Sequence, residues 1–121
     1  MYNEKVIKEF SDPQNVGELK NANGIGTVGN ASCGDIMKLF LRIENGVIVD
    51  ASFKTFGCAA AIATASTATR LIKGKTVDEA LKVTNQHVVD DLGGLPSQKV
   101  HCSVLAQEAI VAAIEDYKSK A

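Results

Sequence analysis

The chain has 121 residues, 45% of them apolar and 22% charged, with a formal net charge of −1. This composition is that of one soluble globular domain spanning residues 1–121, long enough to bury a core. With near-neutral charge, four Phe, two Tyr and no Trp, it offers neither a basic field nor a stacking platform, which argues against nucleic acid and an anionic membrane surface.

Met1-Tyr2-Asn3-Glu4-Lys5 lacks the charged-then-apolar order of a secretory leader. Charges recur too often along the chain for a membrane span. Tyr2, Val6, Ile7 and Phe10 fall at helical spacing before Ser11-Asp12-Pro13 ends the pattern, which predicts a short amphipathic helix over Tyr2 to Phe10. Gln14 to Asn30 is rich in Gly and Asn, with Gly24, Gly26 and Gly29 spaced among Ile25, Thr27 and Val28. It reads equally as a weak edge strand or as an ordered loop.

From Ile36 the period becomes two. Met37, Leu39, Leu41 and Ile43 alternate with Lys38, Phe40, Arg42 and Glu44, which predicts a half-buried strand. Asn45-Gly46 is a hairpin turn, because both residues tolerate positive φ. The return strand is expected over Val47 to Phe56, with Val47, Val49, Ala51 and Phe53 inward and Asp50, Ser52 and Lys54 outward. Antiparallel pairing about this turn brings Cys33 and Cys58 to the same end of the hairpin.

After Gly57, a helix of small residues is expected from about Ala59 to Lys73, ended by Gly74. Thr76-Val77-Asp78-Glu79 is a capping box for a helix with Ala80, Leu81 and Val83 inward. Thr84 caps another short helix through Leu92, closed by Gly93-Gly94. Leu95-Pro96-Ser97-Gln98 is a loop, and the last helix runs from Ser103 to Lys118. These elements predict an α+β fold, a small antiparallel sheet of about three strands with helices packed on one face.

The residues that carry chemistry are Cys33, Asp35, Cys58, His101 and Cys102. The cysteines lie 25 and 44 positions apart, so no local Cys-x-x-Cys pair exists and any convergence is tertiary. An odd number of cysteines with no sign of secretion favours reduced thiols in a cytoplasm over a disulfide framework. Three thiolates with one oxygen or nitrogen ligand suit zinc or the iron of an iron–sulfur cluster. His101 and Cys102 stand where the last helix begins, and unpaired N–H groups there favour a thiolate at Cys102. His87 has no cysteine near it in sequence and reads as a surface helix residue. Gly24-Ile25-Gly26 is too short for a phosphate loop.

Three stretches then carry a resemblance: Ala31 to Leu39 (Ala-Ser-Cys-Gly-Asp-Ile-Met-Lys-Leu), Phe53 to Cys58 (Phe-Lys-Thr-Phe-Gly-Cys) and His101 to Ala106 (His-Cys-Ser-Val-Leu-Ala). Together with Met1 to Gly17, which contains Asp12-Pro13-Gln14-Asn15-Val16-Gly17, and Lys73 to Ala80, they resemble the IscU/NifU-type iron–sulfur cluster assembly scaffold over nearly the whole chain. The resemblance implies a non-enzymatic carrier that accepts sulfur from a cysteine desulfurase of the IscS/NifS type, takes up iron, and passes the cluster to recipient apo-proteins. It implies a [2Fe–2S] cluster, in some members [4Fe–4S], with zinc as a surrogate. Cys33, Cys58 and Cys102 would be the ligands and Cys102 the persulfide acceptor. Asp35 would tune lability, and His101 would be an alternative fourth ligand. A shared cluster in a homo-oligomer stays open.

Two departures qualify the expectation. The family's segment for an Hsp70-type chaperone reads Leu-Pro-Pro-Val-Lys, whereas this chain has Leu95-Pro96-Ser97-Gln98-Lys99. The spacing between Cys58 and Cys102 leaves no room for the insertion of the SufU-type branch, which argues against a zinc-dependent sulfur relay. A competing reading is a cysteine hydrolase with Cys102 as nucleophile and His101 as base. Adjacent side chains at a helix start usually point apart, and the sequence places no third residue to orient the histidine.

Overall fold

The structure is a computed structural model and describes residues 2–30 and 35–120. In chain order the elements are α1 (Glu4–Ser11), β1 (Gly24–Asn30), β2 (Asp35–Glu44), β3 (Val47–Phe56), α2 (Ala59–Ile72), α3 (Val77–Leu81), α4 (Asn85–Asp91), a 3-10 turn (Ser97–Lys99) and α5 (Val100–Lys120). The fold is α+β, with one antiparallel sheet of order β1-β2-β3. Met37, Leu39, Leu41 and Ile43 of β2 share a buried core with α2 and α5.

Asn45 and Gly46 turn the β2–β3 hairpin with φ of 54° and 77°, the doubly positive pattern that matches strand twist. From there the register runs cleanly except at one point. Arg42 faces Asp50 whereas Ile43 faces Ile48, so Val49 is an extra residue in β3. This bulge reverses the alternation. Ile48 enters the core, and Val49, expected inward, is 45% exposed; Val47, also expected inward, is only half-buried. Beyond the bulge Ala51 and Phe53 point inward as the period requires. Phe40 and Ser52 depart from the alternating pattern as well, being buried on the opposite face. Phe40 lies between its cross-strand partners Ile25 and Ser52, with the Lys38 ammonium 5.4 Å from its ring centroid.

The glycine-rich segment resolves into loop and strand. Asn15 and Gly17 exchange backbone hydrogen bonds with Phe53, which covers the outer edge of β3. Gly24 to Asn30 pairs with β2. Glycine is required there because α5 crosses β1 at backbone distance. A Cβ on Gly26 would stand 2.5 Å from the Ala113 nitrogen and 2.7 Å from the Ala109 oxygen. On the outer side, Asp116 accepts from the Ile25 N–H at 2.9 Å, so α5 also caps part of an otherwise open edge.

In α1 only Val6 is buried; Ile7 and Phe10, at the same helical spacing, face outward. Polar contacts hold the helix instead. Asn3 accepts from the Val6 N–H and donates to the Leu92 carbonyl, while Glu9 takes the Ser66 hydroxyl and the Arg70 guanidinium. Arg70 reaches Asp91 at 2.8 Å as well, joining α1, α2 and α4. Both short helices have complete capping boxes. At α4 the partner is His87, whose Nδ1 accepts from the Thr84 N–H at 2.9 Å. Leu81, expected inward, is 36% exposed because α3 ends after five residues.

Candidate metal-binding site

The open end of the hairpin, opposite Asn45-Gly46, meets the starts of α2 and α5. Asp35 opens β2, Cys58 is the N-cap of α2, and His101 and Cys102 lie in the first turn of α5. The last helix starts at Val100, three residues earlier than the sequence suggested, because the Ser97–Lys99 turn feeds directly into it. Cys33 and the rest of residues 31–34 lie outside the described residues.

Ligating atoms of Asp35, Cys58 and Cys102 all fall within 4.8 Å of one another. The two sulfurs are 3.8 Å apart. Two thiolates on one tetrahedral ion, each at about 2.3 Å from the metal, would be about 3.8 Å apart, so the pair fits a shared metal without rearrangement. The Cys102 thiol donates toward Asp35 Oδ2 at 3.7 Å. His101 Nε2 lies 3.3 Å from the same oxygen and 3.6 Å from the Cys102 sulfur. His101 and Cys102 therefore face one another, contrary to the expectation that they point apart, because Asp35 draws both to one side of the helix start.

Gly57 makes room for the carboxylate. A Cβ there would stand 3.0 Å from Asp35 Cγ and 3.0 Å from the Ala61 methyl. Asp35 is thereby pressed between the end of β3 and the start of α2, with only 4% of its surface exposed.

The electrostatics reverse the sequence expectation for the thiols. Burial pushes the Cys102 thiol far above its ordinary pKa, and the neighbouring Cys58 and Asp35 push it the same way. Cys102 is fully buried, so a helix start is not enough to make it a thiolate. Cys58 is the thiol that the fold shifts toward ionisation. Burial opposes its ionisation, but the Ala61 and Ala60 N–H groups, the Cys102 thiol and the Lys99 ammonium outweigh burial and lower its pKa. The helix start that favours an anion is that of α2, at Cys58.

Lys99 and Tyr2 were not singled out from the sequence. The negative charge of Cys58 holds the Lys99 ammonium in its charged form to higher pH, and Tyr2 packs with Leu95 over Ala60, Ala61 and Cys102. The sequence signals for Lys99 were its place two residues before His101 and its position at the end of the Leu95-Pro96-Ser97-Gln98-Lys99 segment. Tyr2 carried none beyond its spacing with Val6. His87 lies apart from this cluster and serves as a helix cap.

The chain matches the family model described as NifU-like N terminal domain across residues 1–121. It is 53% identical over 120 residues to the iron-sulfur cluster assembly scaffold protein IscU 1 of Archaeoglobus fulgidus, covering 99% of this chain and 78% of that protein. It is 49% identical over 121 residues to the iron-sulfur cluster assembly scaffold protein IscU of Aquifex aeolicus, with 98% and 77% covered. Among solved structures, a nitrogen-fixing NifU-like protein (N-terminal) from Brucella abortus shares the fold with a TM-score of 0.78 at 22% identity, covering 98% of this chain and 95% of that one.

Proposed function

This chain belongs to the family of NifU-like N-terminal domains, and on that premise we propose that it is a scaffold for de novo assembly of iron–sulfur clusters. The cluster is its cargo, built here and then passed to apo-proteins. The observation that carries the reading is the convergence of Asp35, Cys58 and Cys102 from three separate elements, their ligating atoms within 4.8 Å. Soft thiolates select iron–sulfur clusters and zinc over hard cations.

In this reading Cys33, Cys58 and Cys102 are the thiolate ligands. Cys33 is two residues from Asp35 in sequence. Asp35 and His101 compete for the remaining position, since both approach Cys102. An oxygen ligand is harder and exchanges more readily than a fourth thiolate, which suits cargo that must leave. The cargo is [2Fe–2S], extending to [4Fe–4S], and zinc is its surrogate.

Sulfur arrives from a cysteine desulfurase of the IscS/NifS type. The Cys102 thiolate attacks the outer sulfur of the donor's persulfide, a new S–S bond forms at Cys102, and the donor cysteine leaves as its thiolate. Because Cys102 is buried and protonated, this transfer requires the first turn of α5 to turn outward and the thiol to lose its proton. Such chemistry belongs in a reducing compartment such as the cytoplasm. Among the described residues no helix is long and apolar enough to cross a membrane.

The geometry supports a carrier over a cysteine hydrolase. A catalytic triad uses one imidazole nitrogen for the nucleophile and the other for the orienting carboxylate. Here the same nitrogen, Nε2, faces both Cys102 and Asp35, so Asp35 cannot orient His101 as a base toward Cys102.

The test is anaerobic reconstitution with ferrous iron, cysteine and a cysteine desulfurase, followed by visible absorption. Charge-transfer bands lost in each of Cys33→Ser, Cys58→Ser and Cys102→Ser are expected. A colourless chain holding one zinc through the same cysteines would replace cluster assembly with sulfur relay. Failure to bind either metal would remove the reading altogether.

A further inference from the structure

Cys58 belongs to α2 and Cys102 to α5, so the distance between their thiols depends on how these two helices are held at the site end. Ala60 and Ala61 pack against Cys102 there, and such small side chains provide contact without direction. The next turn of α2 carries Thr64, which is fully buried. Its Oγ1 lies 3.1 Å from the Ala61 carbonyl of its own helix and 3.3 Å from the Cys102 carbonyl of α5.

A hydroxyl has one hydrogen to give, and here it is shared between the two carbonyls. Thr69, one turn and a half further along α2 and equally buried, shows the ordinary arrangement. Its hydroxyl donates at 2.7 Å to the Ser66 carbonyl of the same helix. The bond from Thr64 to its own helix is longer, and its second acceptor is the backbone of a residue in the metal-binding cluster. Apart from the thiol pair, this is the only side-chain hydrogen bond between α2 and α5 among the described residues.

We propose that Thr64 is a positioning residue for metal binding: its hydroxyl, bridging the Ala61 and Cys102 carbonyls, sets Cys102 against Cys58 at the separation a tetrahedral metal requires. The proposal rests on the scaffold reading. Removing groups that orient metal ligands costs about 10- to 100-fold in affinity. Losing the bond to Cys102 frees the first turn of α5 to shift, and metal–ligand distances tolerate only about 0.2 Å.

The experiment is titration of the reduced, metal-free full chain with Co²⁺ under anaerobic conditions, followed by displacement with Zn²⁺. Cobalt reports both affinity and tetrahedral thiolate geometry through its visible bands. Thr64→Val keeps the shape and removes the hydroxyl, and is expected to weaken Co²⁺ about tenfold or more and to alter the band profile. Thr64→Ala, which asks the core to fit no new methyl, carries the same expectation. Thr64→Ser should restore both affinity and spectrum. Thr69→Val, which removes a buried hydroxyl bonded only within its helix and to Asn15, should leave both unchanged.

Wild-type affinity and spectrum in Thr64→Val and Thr64→Ala would overturn the proposal while leaving the scaffold reading intact. So would an equal loss in Thr69→Val, or a loss that Thr64→Ser fails to repair. If the unaltered chain gives no thiolate–cobalt spectrum, the scaffold reading falls and the proposal falls with it.

Discussion

The thiols of Cys58 and Cys102 stand 3.8 Å apart, and the fold drives their ionisation in opposite directions. The N–H groups at the start of α2 help lower the pKa of Cys58, whereas burial beside Asp35 raises that of Cys102. The pair therefore reacts as one half-buried nucleophile with a fully buried neighbour. In the reduced, metal-free chain at neutral pH, iodoacetamide is expected to modify Cys58 at least about tenfold faster than Cys102, because the thiolate is the reacting form. Peptide mapping by mass spectrometry after timed quenching checks it, and equal rates would contradict the electrostatic account.

The same shifts fix a sign for alkaline stability. The raised folded pKa of Cys102 makes a stabilising contribution that is present below the ordinary thiol value of 9.0 and is lost as pH rises toward the folded value. Stability of the metal-free chain should therefore fall above that pH. In Cys102→Ala the fall should be shallower, as urea midpoints measured across the alkaline range would reveal.

Asp35 bears on both metal exchange and thiol ionisation. Replacing it with Ala removes a hard oxygen beside the metal position and a negative neighbour of Cys102. The cluster of Asp35→Ala is expected to bleach more slowly than that of the unaltered chain, and Cys102 should ionise at lower pH. Indistinguishable cluster lifetimes would leave Asp35 with a structural part only.

Much of this arrangement was legible in local signals. Asn45-Gly46 sets a hairpin whose open end gathers Asp35 and Cys58, since turn chemistry determines register over the first few pairs. The bulge at Val49 was not legible, because no Gly or Pro marks it and Val49 suits either face of a strand. The sequence left Gly26 open between a weak edge strand and an ordered loop, and its requirement for glycine shows only where α5 crosses it. For Cys102 the local signal misled. A position in the first helical turn suggested a thiolate, but its ionisation is governed by packing against Ala60 and Ala61, residues more than 40 positions away in sequence. His87 was read correctly as a surface helix residue; its capping role was masked because histidine replaces the usual Glu or Gln of the motif.

The contact between Gly57 and Asp35 makes a coupled pair. Gly57→Ala places a methyl against the carboxylate and against Ala61, and should cost about 1–3 kcal/mol as overpacking. In an Asp35→Ala background only the share of that cost owed to the carboxylate should disappear, because a side chain at this φ of 159° stays strained and still meets the Ala61 methyl at 3.0 Å. A double-mutant cycle from urea denaturation measures the coupling. Additive effects would mean that the backbone conformation of Gly57 and the Ala61 methyl, not Asp35, limit the site.

Packing of α5 on β1 rests on the same kind of close approach, but against backbone that cannot step aside. At Gly26 an added Cβ would meet the Ala113 nitrogen, the Ala109 oxygen and the Ala112 carbonyl carbon, all within 2.9 Å. Relief requires α5 to move off the sheet, which would carry His101 and Cys102 with it. Gly26→Ala is therefore expected to cost about 3 kcal/mol, the upper end of ordinary overpacking, and to weaken Co²⁺ binding at a site far along the helix. Gly29, also in β1, offers a comparison in the same strand. A Cβ there would make only an ordinary contact, 3.4 Å from the Asp35 carbonyl oxygen, so Gly29→Ala should change stability by less than about 0.5 kcal/mol. If the two substitutions prove equally mild in thermal unfolding, α5 is free to slide over β1, and its first turn is positioned by contacts at the site end alone.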